Sequence, residues 1–569
     1  MNRNFLWVFS LFFSLLIFTS AIKINDLNMV VVISEYQADN QMMNRKYPIK
    51  YSDAYFKRMH QFYQDWDKKL KSIDYAKLSV NEQVDYQLLK RNISINYKQL
   101  MENEVAKNKL LPILSWKNYI EEFQRLRSVG TVQDGNKVAK DFEFLISKVD
   151  ETIKTLDNYN EIEAKDFVKA YEIAEQYRLA LVESFKFYDG YDPVFTQQVK
   201  PIYLKAESSL RNLIKAYSVK SAKVKQVDDG SGIIGNPIGR EAFIKALEGE
   251  MIAYTPEELI DVALKEFAWS DREMLKASNE MGFGDDWKKA LEKVKGDYVP
   301  QGKQPELIKF LADEAVEFIE SKNLITIPEL AKEGWSMRML SAQEQLTAPF
   351  FLGGESILIA YPTDGMTDTA KMMSLRGNNK HFARATVHHE LIPGHNLQYY
   401  MQNRYKTYRR PFGTPFWSEG WALYWEMLLW DNNFAKSPEN RVGMLFWRMH
   451  RSARIIFSTN YHLGKWTPQQ CIDFLVNRVG FERANAEAEV RRSFTGGYGP
   501  LYQIAYMIGG LQFRALHKEM VASGKMTNKA FHDKILQNNS MPVDLVRVIL
   551  NNKPIPENYK ANWKFVDKL

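Results

Sequence analysis

Apolar side chains recur every three or four positions through most of this chain, and that rhythm limits what it can fold into. FKRMHQFYQDWDKKLKSI, DFEFLISKVDETIKTL, KDFVKAYEIAEQYRLALVESF and QPELIKFLADEAVEFIESK each place one apolar stripe on a helix. The helical pattern starts near Gln37. In YTPEELIDVALKEF a helix start is legible: Thr255 as N-cap, Pro256 at the first position, Glu257 and Glu258 in the first turn. Strand signals are rare. The best is the short apolar run Ser356 to Tyr361, bounded by Gly353-Gly354 and Pro362. The expected fold class is mainly α, with one small β-sheet in the C-terminal half.

Gly, Asn and Asp punctuate DDGSGIIGNPIG, residues 228 to 239, as an exposed loop. A second soft boundary near residue 330 divides an N-terminal helical region, 22–330, from a C-terminal helical region, 331–569. Ahead of both, residues 1–21 (MNRNFLWVFSLFFSLLIFTSA) join Arg3, an apolar run and a small-residue Thr-Ser-Ala end. That order reads as a secretory signal peptide cleaved near Ile22 rather than a spanning anchor. The expected location is periplasmic or secreted, with no stable membrane association after cleavage. The net charge of +7 is scattered, with no basic block of the kind that binds nucleic acid. Cys471 is the only cysteine, so neither an intrachain disulfide nor a cysteine zinc ribbon can form. It lies in an amphipathic stretch and is expected to be buried. No feature of the sequence sets an oligomeric state.

Four of the nine histidines, His381, His388, His389 and His395, fall within fifteen positions. HHELIPGHNLQ departs from the zinc-binding pattern H-E-x-x-H. His389 and Glu390 are adjacent as required, but the next histidine, His395, comes six residues after His389 rather than four. On a straight helix that spacing leaves the two imidazoles roughly 120° out of alignment. Pro393 and Gly394 interrupt the helix, and a two-residue bulge there would return His395 to the metal face. Pairing His388 with His395 gives better alignment but strands Glu390, so it ranks second. A His2Glu site needs a carboxylate from a second helix. GTPFWSEGWALYWEMLLW offers Thr414 as N-cap, Pro415 as first residue and Glu419 in the first turns. Glu426, seven residues on, is either a partner orienting a ligand histidine or a surface group. The stripe Trp417, Trp421, Trp425 reads first as core and second as a cleft wall.

These two stretches resemble the paired signatures of the domain-of-unknown-function 885 family, grouped with the gluzincin metallopeptidases. Its H-E-x-x-P-G-H-x-x-Q is matched by His389, Glu390, Pro393, Gly394, His395 and Gln398. Its E-G-W-A-x-Y-x-E is matched by Glu419, Gly420, Trp421, Ala422, Tyr424 and Glu426. The resemblance implies a large helical metallopeptidase-like body with a deep cleft. It also implies Zn2+ on His389, His395 and Glu419, with Glu390 as general base. A third family pattern matches at Pro500, Tyr506 and Gly509, whereas Tyr502 stands where glutamine is usual. Related peptidases use a late tyrosine or histidine to stabilise the oxyanion. Tyr506 is the first candidate, with Tyr502 and Tyr498 in reserve; packing in the core is the other reading.

Arg491 and Arg492 could grip a peptide's C-terminal carboxylate. The run from Ser356 to Tyr361 could pair with extended substrate, as the strand before the metal helix does in other gluzincins. The expected function is hydrolysis of oligopeptide substrates by an exported zinc metallopeptidase. A zinc amidase acting on non-peptide or cell-wall amides, and a non-catalytic binding protein of the same fold, are the alternatives.

Overall fold

A computed structural model describes residues 28–221, 228–348 and 350–569. The leader read over residues 1–21 lies outside them. Among the described residues helices dominate, as the periodicity predicts. They include Asp53–Lys71, Asp166–Lys186, Pro256–Glu280 and Gln304–Ser321. The first, Met29–Lys46, begins eight residues before Gln37. At Thr255 the side chain accepts the Glu258 N–H, and the Glu258 carboxylate accepts the Thr255 N–H at 2.7 Å. This reciprocal cap starts the helix where the sequence places it.

One apolar core runs from Met29 to Phe565 and includes Cys471. Its central beam is the helix Pro438–His462, which packs against Pro256–Glu280, Lys380–Glu390 and Tyr502–His517. This helix is buried along nearly its whole length, so its polar residues, among them Arg451 and Arg454, are interior groups. The N-terminal half is tied to the site region by a buried ion pair. Arg409 Nε donates to Asp85 Oδ1 at 2.7 Å, and its guanidinium also reaches the Asn538 carbonyl. Removing either partner would leave a buried charge unmatched, which costs about 3–5 kcal/mol.

Two short strands form a parallel pair: β1 (Ser336–Met339) and β2 (Ser356–Ile359), with Ser336 opposite Ser356. The strand stops at Ile359, two residues short of the Tyr361 expected from the apolar run. Leu352 folds back to bridge Leu358 on the other side of β2. Ile357 and Ile359 point into a small core with Ile308 and Leu311 from Gln304–Ser321 and with Ala383, Val387 and Leu391. That cluster fastens the sheet to the helix carrying His389. It also joins side chains from both sides of residue 330.

Candidate metal centre

The helix Lys380–Glu390 opens on Asn379, whose side chain accepts the His381 and Phe382 N–H groups. It ends at Glu390, and a second helix, His395–Gln402, starts with His395 as its first residue. The interruption is therefore a full break rather than a bulge within one helix. Pro393 has no N–H to continue the ladder, so residues 391–394 leave the helical path. Three bonds hold the turn: Gly394 N–H to the His388 carbonyl, Asn396 N–H to the Leu391 carbonyl, and Trp421 Nε1 to the Pro393 carbonyl at 2.9 Å. Position 394 has to be glycine, because a Cβ there would lie 1.8 Å from the His389 carbonyl oxygen. Gln398 Nε2 then donates to the Ser418 carbonyl, locking the second helix to Pro415–Asp431.

This turn swings His395 back to His389. The His389 Nε2 and His395 Nε2 atoms stand 3.5 and 3.2 Å from the same oxygen, Glu419 Oε2. Glu390 Oε2 is 4.0 Å from His395 Nε2. The other nitrogen of His389, Nδ1, meets Glu426 Oε1 at 2.7 Å. Glu426 also receives Arg451 Nη2 at 3.3 Å. Glu426 is thus a buried partner of His389, which resolves the choice the sequence left open. A carboxylate on Nδ1 fixes the Nδ1–H tautomer and turns the Nε2 lone pair inward.

This donor set fits a divalent cation. Donors about 2.0–2.2 Å from a tetrahedral zinc lie roughly 3.3–3.6 Å from one another, close to the two separations here. Two imidazole nitrogens aimed at one carboxylate oxygen need a proton or a cation between them. His389, Glu390 and His395 also bring donor atoms within 4.8 Å of one another. Glu419 nevertheless approaches both imidazoles more closely than the 4.0 Å contact of Glu390, so of the two carboxylates it is the better placed to complete a His2Glu donor set.

Burial pushes the Glu390 carboxyl above its ordinary range, against the pull of His389 and His395. Burial acts the same way on Glu419, but the adjacent charge of His395 and the bond from His389 outweigh it and hold that carboxyl well below the usual range. For His389, burial favours the neutral ring, and the bonds to Glu419 and Glu426 overcome it, raising the group to about 9.

The tyrosines reach this centre through a close helix crossing. A Cβ on Gly509 would lie 2.0 Å from the Phe416 carbonyl oxygen, and one on Gly420 would lie 2.5 Å from Gly509 Cα. Only glycine at both positions lets Pro415–Asp431 and Tyr502–His517 touch backbone to backbone. The crossing sets the Tyr502 hydroxyl to donate to Glu419 Oε1. Tyr506 stacks parallel to the His389 ring, 6.1 Å between centroids, and its hydroxyl lies 3.4 Å from that of Tyr502. Tyr498 lies on Tyr502 and is partly open to solvent.

Other candidates lie elsewhere. His388 Nδ1 bonds the Arg384 carbonyl at 2.8 Å and its ring meets Phe434 edge-on; burial lowers it to about 4. His381 is held by Asn440 and Asp297. Trp417, Trp421 and Trp425 are fully buried core residues. Ser356 Oγ pairs with Ser336 Oγ, and Tyr361 sits in a side pocket with Pro300 and Ser374. The segment before β2 meets the centre instead at Gly353, where a Cβ would lie 2.3 Å from Glu390 Oε2. Neither Gly353 nor Arg451 was singled out from sequence; the Gly353-Gly354 pair was the available signal for a close backbone approach. Beyond Gly354 opens a groove of ≈ 600 Å³, lined by Glu355, Asn396, Tyr399 and Arg404 among others.

A family model described as "Bacterial protein of unknown function (DUF885)" matches residues 36–549. The chain belongs to the DUF885 family. Among curated proteins none matches. Two solved structures share the fold of this DUF885 protein. One is from Shewanella oneidensis and is described as a candidate lipoprotein of unknown function. It has 18% identity and a TM-score of 0.65, and the match covers 92% of this chain and 100% of that one. The other, a candidate lipoprotein from Colwellia psychrerythraea, has 16% identity and a TM-score of 0.57, covering 92% and 99%. In the DUF885 chain no described helix is long and apolar enough to cross a membrane.

Proposed function

We propose that this protein is an exported zinc-dependent metallopeptidase that hydrolyses peptide bonds in oligopeptides. The observation that supports the reading best is the convergence of His389 Nε2 and His395 Nε2 on Glu419 Oε2, at 3.5 and 3.2 Å, with Glu390 beside them. A zinc ion held by these three residues would supply Lewis acidity, making water more acidic and a carbonyl carbon more electrophilic. Everything else falls to the chain's own groups. Glu390, a buried carboxylate with a raised proton affinity, takes a proton from the attacking water and delivers it to the leaving nitrogen. Water oxygen bonds to the carbonyl carbon, the C–N bond breaks, and the products are a carboxylate and an amine. The Tyr506 hydroxyl donates to the developing oxyanion, while Tyr502 holds Glu419 in place. Glu426, braced by Arg451, keeps the His389 ring oriented. Export is supported by the apolar leader over residues 1–21 and by the lipoprotein descriptions of the two structural relatives.

The test is turnover. Zinc-loaded protein should hydrolyse members of an oligopeptide library, lose that activity on chelation and regain it with Zn2+. Hydrolysis of cell-wall fragments with no peptide turned over would favour the amidase reading. Zinc-independent activity would contradict both.

A further inference from the structure

Arg491 and Arg492 are neighbours in sequence, and the fold gives them different surroundings. Arg491 Nη1 donates to the Gly232 carbonyl at 3.0 Å, on the side of the 228–239 loop. Arg492 turns inward and is 8% exposed. Its guanidinium has no hydrogen bond or ion pair with any described residue, and its Nε is an orphan donor. What it has is an aromatic floor: Tyr498, whose ring centroid is 4.9 Å away. Tyr498 lies tilted against Tyr502, 4.3 Å between centroids, and the Tyr502 hydroxyl bonds Glu419. Arg492 is therefore two rings from the candidate metal ligand.

No surrounding carboxylate bonds it, although Glu489 lies near enough to attract it. Three buried arginines, Arg451, Arg454 and Arg492, share this region with four buried glutamates, of which Glu390 and Glu419 face the imidazoles of the centre. Glu426 is engaged by His389 and Arg451. Glu489 meets Arg454 at 2.6 Å and His450 at 3.3 Å through Oε1, and its buried Oε2 has no hydrogen-bond partner among the described residues. A guanidinium stays protonated at any ordinary pH, and a buried charge without a partner is costly. A planar fork with free donors beside a hydrolytic centre matches one ligand group best, a carboxylate.

We propose that Arg492 receives the free α-carboxylate of the substrate, which makes the protein a carboxyl-terminal exopeptidase; this rests on the peptidase reading above. The rest of the peptide then runs past Gly353, which touches Glu390, into the groove bordered by Glu355, Tyr399 and Arg404. Arg491 takes no part.

Binding tests this apart from turnover. In zinc-loaded Glu390→Gln protein, calorimetry would compare a tripeptide with a free C-terminus against its C-terminal amide. The acid should bind about 30-fold or more tightly than the amide, the scale of a buried charge-assisted pair. Arg492→Gln should erase that difference, Arg492→Lys should keep part of it, and Arg491→Gln should leave it intact. Equal affinities for acid and amide, a difference that survives Arg492→Gln, or no binding of either peptide would overturn the assignment. Wild-type hydrolysis of the same acid scores the peptidase reading separately: discriminating binding without cleavage sinks that reading and leaves the carboxylate site standing.

Discussion

Replacing Glu390 by Gln should lower kcat for peptide hydrolysis about 10³-fold while the protein keeps its zinc and its fold. General-base catalysis contributes about 10²–10⁴-fold, and Glu390 is the one carboxylate in the centre left free for it. Glu419 faces both imidazoles, and Glu426 is spent on His389 and Arg451. The substitution preserves shape, which matters because Gly353 packs directly on this side chain. What it removes is the ability to accept a proton. The measurement is steady-state turnover of a fluorogenic peptide alongside metal content of the same sample. Turnover above about a tenth of wild type would show that another group takes the proton.

His389→Ala should have the second large effect, on metal rather than on chemistry. Zinc should fall from about one ion per chain to less than about a tenth after desalting, and activity should fall with it. The change deletes one donor and also strips Glu426 of its partner, leaving a buried carboxylate facing Arg451 alone. His388→Ala is the internal contrast. That ring bonds the Arg384 carbonyl and packs on Phe434, so its removal should leave zinc in place. If His388→Ala lost the metal and His389→Ala kept it, the pairing ranked second from sequence would be the correct one.

Much of this architecture is legible in the sequence because helices announce themselves by period and caps. Thr255 and Thr414 cap helices at the positions their sequences suggest. The centre is legible in part. Adjacent His389 and Glu390, a displaced His395 and a glutamate on a later helix are enough to name a donor set. Its geometry is not, because Pro393 can end a helix or bulge it. The outcome depends on Trp421, which bonds the turn from another helix, and on how closely Gly394 passes His389.

Glu426 shows the same limit. Its position on a helix gives its face, and only the approach of Arg451 from Pro438–His462 shows that face to be interior. Arg491 and Arg492 are about 100° apart on their helix, and periodicity does not say which of them turns inward. The expectation for Ser356 and Tyr361 follows the strand pattern together with the resemblance to other gluzincins. Contact with Glu390 comes instead from Gly353, just upstream, where the chain has no side chain to read.

The central claim is that one ion is held by His389, His395 and Glu419. Anomalous diffraction at the zinc edge tests it most directly. A single peak should appear within about 2.0–2.2 Å of His389 Nε2, His395 Nε2 and a Glu419 oxygen, with Glu390 unligated beside it and His388 turned away. A peak bound through His388, a peak ligated by Glu390 in place of Glu419, or no peak at this cluster in zinc-saturated crystals would contradict the account.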